Sequence, residues 1–225
     1  MLMYSRVGRL SEPDDIILDL GSKDGRYLDK INAKTIALDI ELAKGQLSDE
    51  AQSYILGDGC ELPFQNNVFD YIILGQVLEH ISYKIDIIKE VKRVLKPHGA
   101  AFFSFPNRYS PSKPHGLPRF LSAVPKSIGL EIAKPMLTEE KYTYYRDCVF
   151  PLSPLHAKRL LSRYFSEIEY VTVDESIKSP EIYSDRLLPQ TFVNFLPLIS
   201  LLTNIPLLEL IFETVWSYCS YECSI

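Results

Sequence analysis

The sequence predicts an α/β protein built on a doubly wound, mostly parallel sheet. Three observations lead there. Short β-branched runs alternate with helix-patterned segments through residue 105. The first run, Ile16-Ile17-Leu18-Asp19-Leu20, ends at once in Gly21. The second, Thr35-Ile36-Ala37-Leu38-Asp39, ends in an acid twenty residues after Asp19. Strands that alternate with helices make a parallel sheet covered on both faces.

The elements follow in order. Strands fit near 16–20, 35–39, 53–57, 69–74 and 100–105; helices fit near 24–32, 41–46 and 83–95. Gly21 and Gly25 suit a tight turn that opens a helix, where backbone N–H groups face a ligand. Ile85, Ile88, Val91 and Leu95 recur at helical spacing, with Lys89, Glu90, Lys92 and Arg93 between them. Pro97-His98-Gly99 stops that helix and turns into the next strand. A glycine turn after a strand also fits a plain loop, but an acid at the tip of the second strand suits ribose hydroxyls.

The pattern breaks after Asn107. Residues 107–153 hold six prolines, many tyrosines, and seven Lys/Arg against four Asp/Glu. A connection this long is expected to be a partly helical lid. Pro154–Phe165 reads as a helix with proline at its start, and Ile168–Val173 as a strand. Residues 186–212 are strongly apolar but broken by Pro197, Pro206, Asn194, Asn204 and Glu209. That interrupts the clean run a membrane span needs, so a buried or dimer-forming helical cap is preferred. An interfacial helix gathering a lipid-like substrate comes second.

The bulk numbers set limits. The 225 residues fit one domain with insertions, and 46% hydrophobic content supports a sizeable core. A net charge of −5 argues against a general nucleic-acid binder. Cys60, Cys148, Cys219 and Cys223 show no zinc-ligand spacing, so no metal site is expected, and reduced thiols in a cytoplasmic protein are preferred. The N-terminal residues lack the apolar core of an export signal.

The motifs resemble those of the class I S-adenosylmethionine-dependent methyltransferases, in particular the small-molecule and lipid-type members with an "LEHI" segment. Asp19, Gly21 and Gly25 match the D-x-G-x-G-x-G motif, with Lys23 in place of its middle glycine. Gly57-Asp58-Gly59, Leu62-Pro63-Phe64 and Phe69-Asp70 resemble the "GD…LPF…FD" run. Leu78-Glu79-His80-Ile81 resembles "LEHI". Arg93-Val94-Leu95-Lys96-Pro97-His98-Gly99 resembles "RVLKPGG", with His98 in a glycine position. Pro106-Asn107 resembles the end of the fifth strand. The match runs in order over about residues 14–107.

That resemblance implies a Rossmann-like, seven-stranded fold over 1–225. Its seventh strand would lie at 216–224, antiparallel in the sheet, leaving 175–215 as an apolar helical insertion. The implied cofactor is S-adenosyl-L-methionine, held by Asp19, Gly21, Gly25, Asp39, Ile40, Asp58, Gly59 and Gln76. Asp39 would take the ribose hydroxyls and Asp58 the adenine amino group. Methyl transfer needs positioning more than a fixed catalytic group. His80 is the first base candidate, although a plain structural bond to loop backbone is its preferred reading. His115 and His156 are alternatives, and Asn107 and His115 are the substrate-side candidates. The expected function is methyl transfer to a small or lipid-linked acceptor, in a cytoplasmic protein with optional peripheral membrane contact or a homodimer. The alternatives are a catalytically weak cofactor-binding regulator and a membrane-peripheral interaction protein.

Overall fold

The computed structural model describes residues 2–41, 53–109, 121–172 and 218–225. The expected helix at 41–46 falls almost wholly outside them. His115, the 175–215 insertion and its apolar 186–212 stretch fall wholly outside them.

The seven strands are β1 Ile16–Leu20, β2 Lys34–Asp39, β3 Ser53–Leu56, β4 Phe69–Gly75, β5 Leu95–Pro106, β6 Glu167–Tyr170 and β7 Tyr218–Ser224. They form one sheet in the order β3-β2-β1-β4-β5-β7-β6. β1, β2, β3, β4 and β5 pair in parallel, and β7 runs antiparallel between β5 and β6. The described helices are α1 Leu2–Leu10, α2 Lys84–Val94, α3 Lys126–Ala133, α4 Glu139–Cys148 and α5 Pro154–Leu161.

Each sheet face has its own core. One buries Leu18, Leu20, Ile72 and Phe103 under α2 residues Ile87, Ile88 and Val91 and α5 residues Ala157, Leu160 and Leu161. The other buries Ile17, Ala37, Ile73 and Phe102 under Met3, Tyr4 and Val7 of α1. Nothing in the sequence reading anticipated α1. It takes the place of the helix expected over 24–32, which is instead a set of turns and one 3-10 turn at Leu28–Lys30. Only 13 residues connect β1 to β2, and Asp24 folds back to pair with Arg26. α1 presses on the 3-10 turn so closely that a Cβ at Gly8 would lie 2.0 Å from the Lys30 carbonyl oxygen. Arg6 of α1 also donates to Glu222 of β7 at 2.7 Å.

β5 starts earlier than its pattern suggested. Leu95 already pairs with Phe69, and the register jumps so that Ala100 pairs with Tyr71. Lys96–Gly99 therefore form a bulge rather than a separate turn. His98 is exposed on it. Gly99 is required there, since a Cβ would sit 2.6 Å from the Asp70 carbonyl oxygen.

Two distant motif segments meet on α2. Arg93 donates to the carbonyls of Leu62 at 3.0 Å and Phe64 at 2.7 Å. Glu90 accepts from the Leu62 N–H at 2.8 Å and from Arg93. This pair fixes the loop that follows Asp58.

Candidate functional site

The strand tips of β1, β2 and β4 surround a cavity of about 210 Å³. Its walls include Gly21, Asp39, Ile40, Asp58, Gly59, Gln76 and His80. Six of the eight cofactor-side residues read from the sequence therefore converge on it. Asp19 and Gly25 do not line it. The apolar wall of Leu20, Leu38, Val77, Ile81 and Ile87 was not foreseen. It comes from strand-end and helix residues that look like ordinary core positions.

Backbone geometry explains the turn. Gly21 has φ +76°, and a Cβ there would meet Val77 Cγ2 at 2.3 Å. Gly25 has φ +72°. Lys23 also adopts φ +60°, which costs a non-glycine residue roughly 1–2 kcal/mol. Its side chain is exposed and does not line the cavity. The strained loop is held by Asp39, whose Oδ2 accepts from the Lys23 N–H at 2.7 Å and whose Oδ1 accepts from the Glu41 N–H at 3.2 Å. Tyr54 donates its hydroxyl to the Lys23 carbonyl at 2.8 Å.

A carboxylate offers about four lone-pair sites, so Asp39 keeps acceptor capacity toward the cavity. Asp58 is exposed, and its Oδ1 accepts from the Cys60 N–H at 2.8 Å. Burial, with Asp58 second, raises the Cys60 thiol pKa. Gln76 stands at φ +61° just after β4, pinned by its N–H to the Ser104 carbonyl at 2.7 Å.

Asp19 is 1% exposed and accepts a 2.8 Å hydrogen bond from the Tyr4 hydroxyl. Burial pushes its carboxyl up to about 7, although the Tyr4 bond pulls the other way. Tyr4 belongs to α1 and packs on Gly75 at the end of β4. It is a site-supporting residue the sequence reading missed. The spacing of Met3, Tyr4 and Val7 was its only signal.

His80 is half-buried on a 3-10 turn, Leu78–His80. Its Nδ1 lies 2.8 Å from the Cys148 carbonyl at the end of α4. A carbonyl only accepts, so Nδ1 carries the proton and Nε2 is the basic ring nitrogen. The plain bond to loop backbone is thus present, and it also sets the tautomer. Next to it, the Glu79 carbonyl accepts from the Phe150 N–H at 2.6 Å. These two bonds bring the described part of the 107–153 insertion to the cavity rim. α3 and α4 form their own small core of Leu130, Ala133, Tyr145 and Val149.

Asn107 is fully buried and accepts from the Tyr109 N–H at 3.0 Å. It lines no described cavity. His156 lines a different cavity from His80. Among the described residues no cluster of His, Cys, Asp and Glu could hold a metal ion, and no helix is long and apolar enough to cross a membrane.

Comparison with known proteins bears on this geometry. A "Methyltransferase domain" family profile matches residues 18–103. A malonyl-[acyl-carrier protein] O-methyltransferase of Marinomonas sp. is 32% identical over 101 residues, covering 40% of this chain and 37% of that one. A ubiquinone biosynthesis O-methyltransferase of Nitrosococcus oceani is 31% identical over 144 residues, covering 58% and 56%. The chain thus matches only about two fifths to three fifths of the length of these curated relatives. A phosphoethanolamine N-methyltransferase structure from Haemonchus contortus superposes with TM-score 0.55 at 15% identity, over 98% of this chain and 50% of that one. A Thermotoga maritima methyltransferase structure gives TM-score 0.54 at 14% identity, over 99% and 87%. At such identities these two structures speak for the fold alone, a seven-stranded Rossmann-like sheet. Residues 18–103, with their glycine turn and strand-tip acids, are thus similar to the methyltransferase domain of S-adenosylmethionine-dependent enzymes.

Proposed function

We propose that the chain binds S-adenosyl-L-methionine in the strand-tip cavity and transfers its methyl group to a small or lipid-linked acceptor. One observation carries this reading. Among the described residues, the charged side chains lining the cavity are two carboxylates, Asp39 and Asp58, set beside a left-handed glycine turn. Acidic walls without a Lys or Arg suit a ligand that carries a sulfonium and sugar hydroxyls.

The residues divide the work. Asp39 accepts from the ribose hydroxyls, Asp58 from the adenine amino group, and Gly21 lets backbone approach closely. Ile40 and Gly59 flank the nucleoside. Gln76 and His80 lie toward the acceptor side. When bound, the cofactor supplies an electrophilic methyl group. The chain positions the acceptor in line with it and excludes water. Where the acceptor is a hydroxyl, His80 Nε2 takes its proton while the Nδ1–H bond to Cys148 holds the ring. The 107–153 insertion acts as a lid through that contact. Asp19 and Asn107 support the site from inside, by holding Tyr4 and the Tyr109 turn.

The acceptor class draws support from the relatives. They include a malonyl-[acyl-carrier protein] O-methyltransferase, a ubiquinone biosynthesis O-methyltransferase and a demethylmenaquinone methyltransferase. Lys23 and His98 in glycine positions motivate the alternative of a catalytically weak cofactor-binding regulator. Both side chains are exposed and outside the cavity. Calorimetry with S-adenosyl-L-methionine, followed by turnover to S-adenosylhomocysteine against an acceptor panel, tests the proposal. Saturable binding with turnover supports it. Absence of binding would sink it.

A further inference from the structure

A second cavity, of about 600 Å³, adjoins the first across one stretch of chain: Ile81 lines the first and Ser82 the second. It lies between the starts of α2 and α5. Among the described residues, Lys84, Arg108, Lys126 and Arg163 line it against one carboxylate, Asp86.

Two of these cations are held where they repel each other. Lys84 Nζ lies 5.4 Å and Lys126 Nζ 4.1 Å from the centre of the same Phe150 ring. Lys84 donates one hydrogen to the Ile81 carbonyl at 2.6 Å, which leaves two more on its ammonium. Arg108 is fixed by bonds to the carbonyls of Ser122 at 3.2 Å and Val124 at 2.9 Å, so its charge stays in place. Burial pushes Lys84 down to about 8, with Glu79 pulling the other way and Lys126 adding to the fall; burial also lowers Lys126, against the pull of Asp147. α2 begins at Lys84 with no side-chain cap, so the first-turn N–H groups add positive potential at this wall.

Gathering cations in a half-buried cavity is costly unless an anion offsets it. Two ammonium groups and a helix start suit a group with several acceptor oxygens and more than one charge. We propose that this cavity binds a phosphate monoester group, with Lys84 and Lys126 as its ammonium partners and Arg108 as the fixed charge behind them. The phosphate anchors the methyl acceptor while its reacting end reaches past Ile81 toward His80. That last step rests on the methyl-transfer reading; the anion site itself does not.

The test is calorimetry of the full chain with inorganic phosphate. Saturable binding is expected, weakened at least about tenfold by Lys84→Gln or Lys126→Gln, the loss of one charge-assisted bond. Asp86→Asn should tighten it several-fold. Each variant should keep its circular dichroism spectrum and its affinity for S-adenosyl-L-methionine. Phosphatidylcholine vesicles with and without phosphatidic acid distinguish the source. Association that phosphate competes away assigns a lipid headgroup, and phosphate binding without association assigns a soluble ester; both support the site. No saturable phosphate binding, or equal affinity in the Lys84→Gln/Lys126→Gln double variant, overturns it. Intact phosphate binding without cofactor binding overturns the methyl-transfer reading alone.

Discussion

Two neighbouring cavities carry opposite charge. Among the described residues, the one above β1 and β2 is lined by Asp39 and Asp58 and by no Lys or Arg; the one between α2 and α5 is lined by four Lys/Arg side chains and one acid. The wall between them is the short stretch from Glu79 to Ser82. Their origins differ as well. The acidic cavity is built from strand tips, where parallel pairing fixes each residue to its neighbour. The basic cavity is built from helix starts and insertion segments, where tertiary packing does the placing. Charge is thus sorted by distance along the sheet, and a cationic and an anionic ligand could sit side by side without exchanging places.

The largest expected effect separates the cavities by backbone strain. Gly21→Ala places a Cβ against Val77 at φ +76°, and should cost about 2–4 kcal/mol of stability or abolish cofactor binding. Chemical denaturation and calorimetry read both, and phosphate binding should survive in whatever protein remains folded. Native stability and unchanged cofactor affinity would remove the turn from the site. Next, Asp39→Ala should weaken S-adenosyl-L-methionine by about 1.5–3 kcal/mol and leave phosphate affinity alone. Equal effects on both ligands would dissolve the distinction between the cavities. Tyr4→Phe deletes the donor to buried Asp19 and should cost about 1–3 kcal/mol of folding stability, seen as a lower urea midpoint.

The smallest effect concerns the wall. Burial pushes the Glu79 carboxyl up to about 8 from an ordinary 4.5. A carboxyl whose folded pKa is raised stabilises the fold below its unfolded pKa, and this is lost as pH rises through the folded value. Between pH 4.5 and 8, Glu79→Gln should therefore gain melting temperature relative to wild type as pH increases. A constant difference across that range would contradict the buried-acid account.

The sequence made the acidic cavity legible because its residues sit in short local motifs. Asp39 closes a β-branched run, and Gly21 follows another. The strands β1 to β4 were visible for the same reason. The basic cavity was legible only as an excess of Lys and Arg in 107–153, since Lys84, Arg108, Lys126 and Arg163 come from four separate stretches. α1 escaped notice because nine residues cannot hold a helix alone, and this one draws its stability from the sheet beneath it. The helix expected over 24–32 failed for the converse reason: its propensity was overruled by a short connection already covered by α1.

The position of β7 has a consequence for how the chain is made. β5 and β6 both hydrogen-bond to β7, and β7 enters the ribosome's exit path after the other described strands. Until residues 218–224 emerge, β5 offers an open edge with Phe103 and Phe105, and β6 has no strand to pair with. Arg6 of α1 likewise waits for Glu222. Synthesis therefore leaves part of the sheet exposed until residues 218–224 emerge, a stage at which chaperone engagement should be heavy.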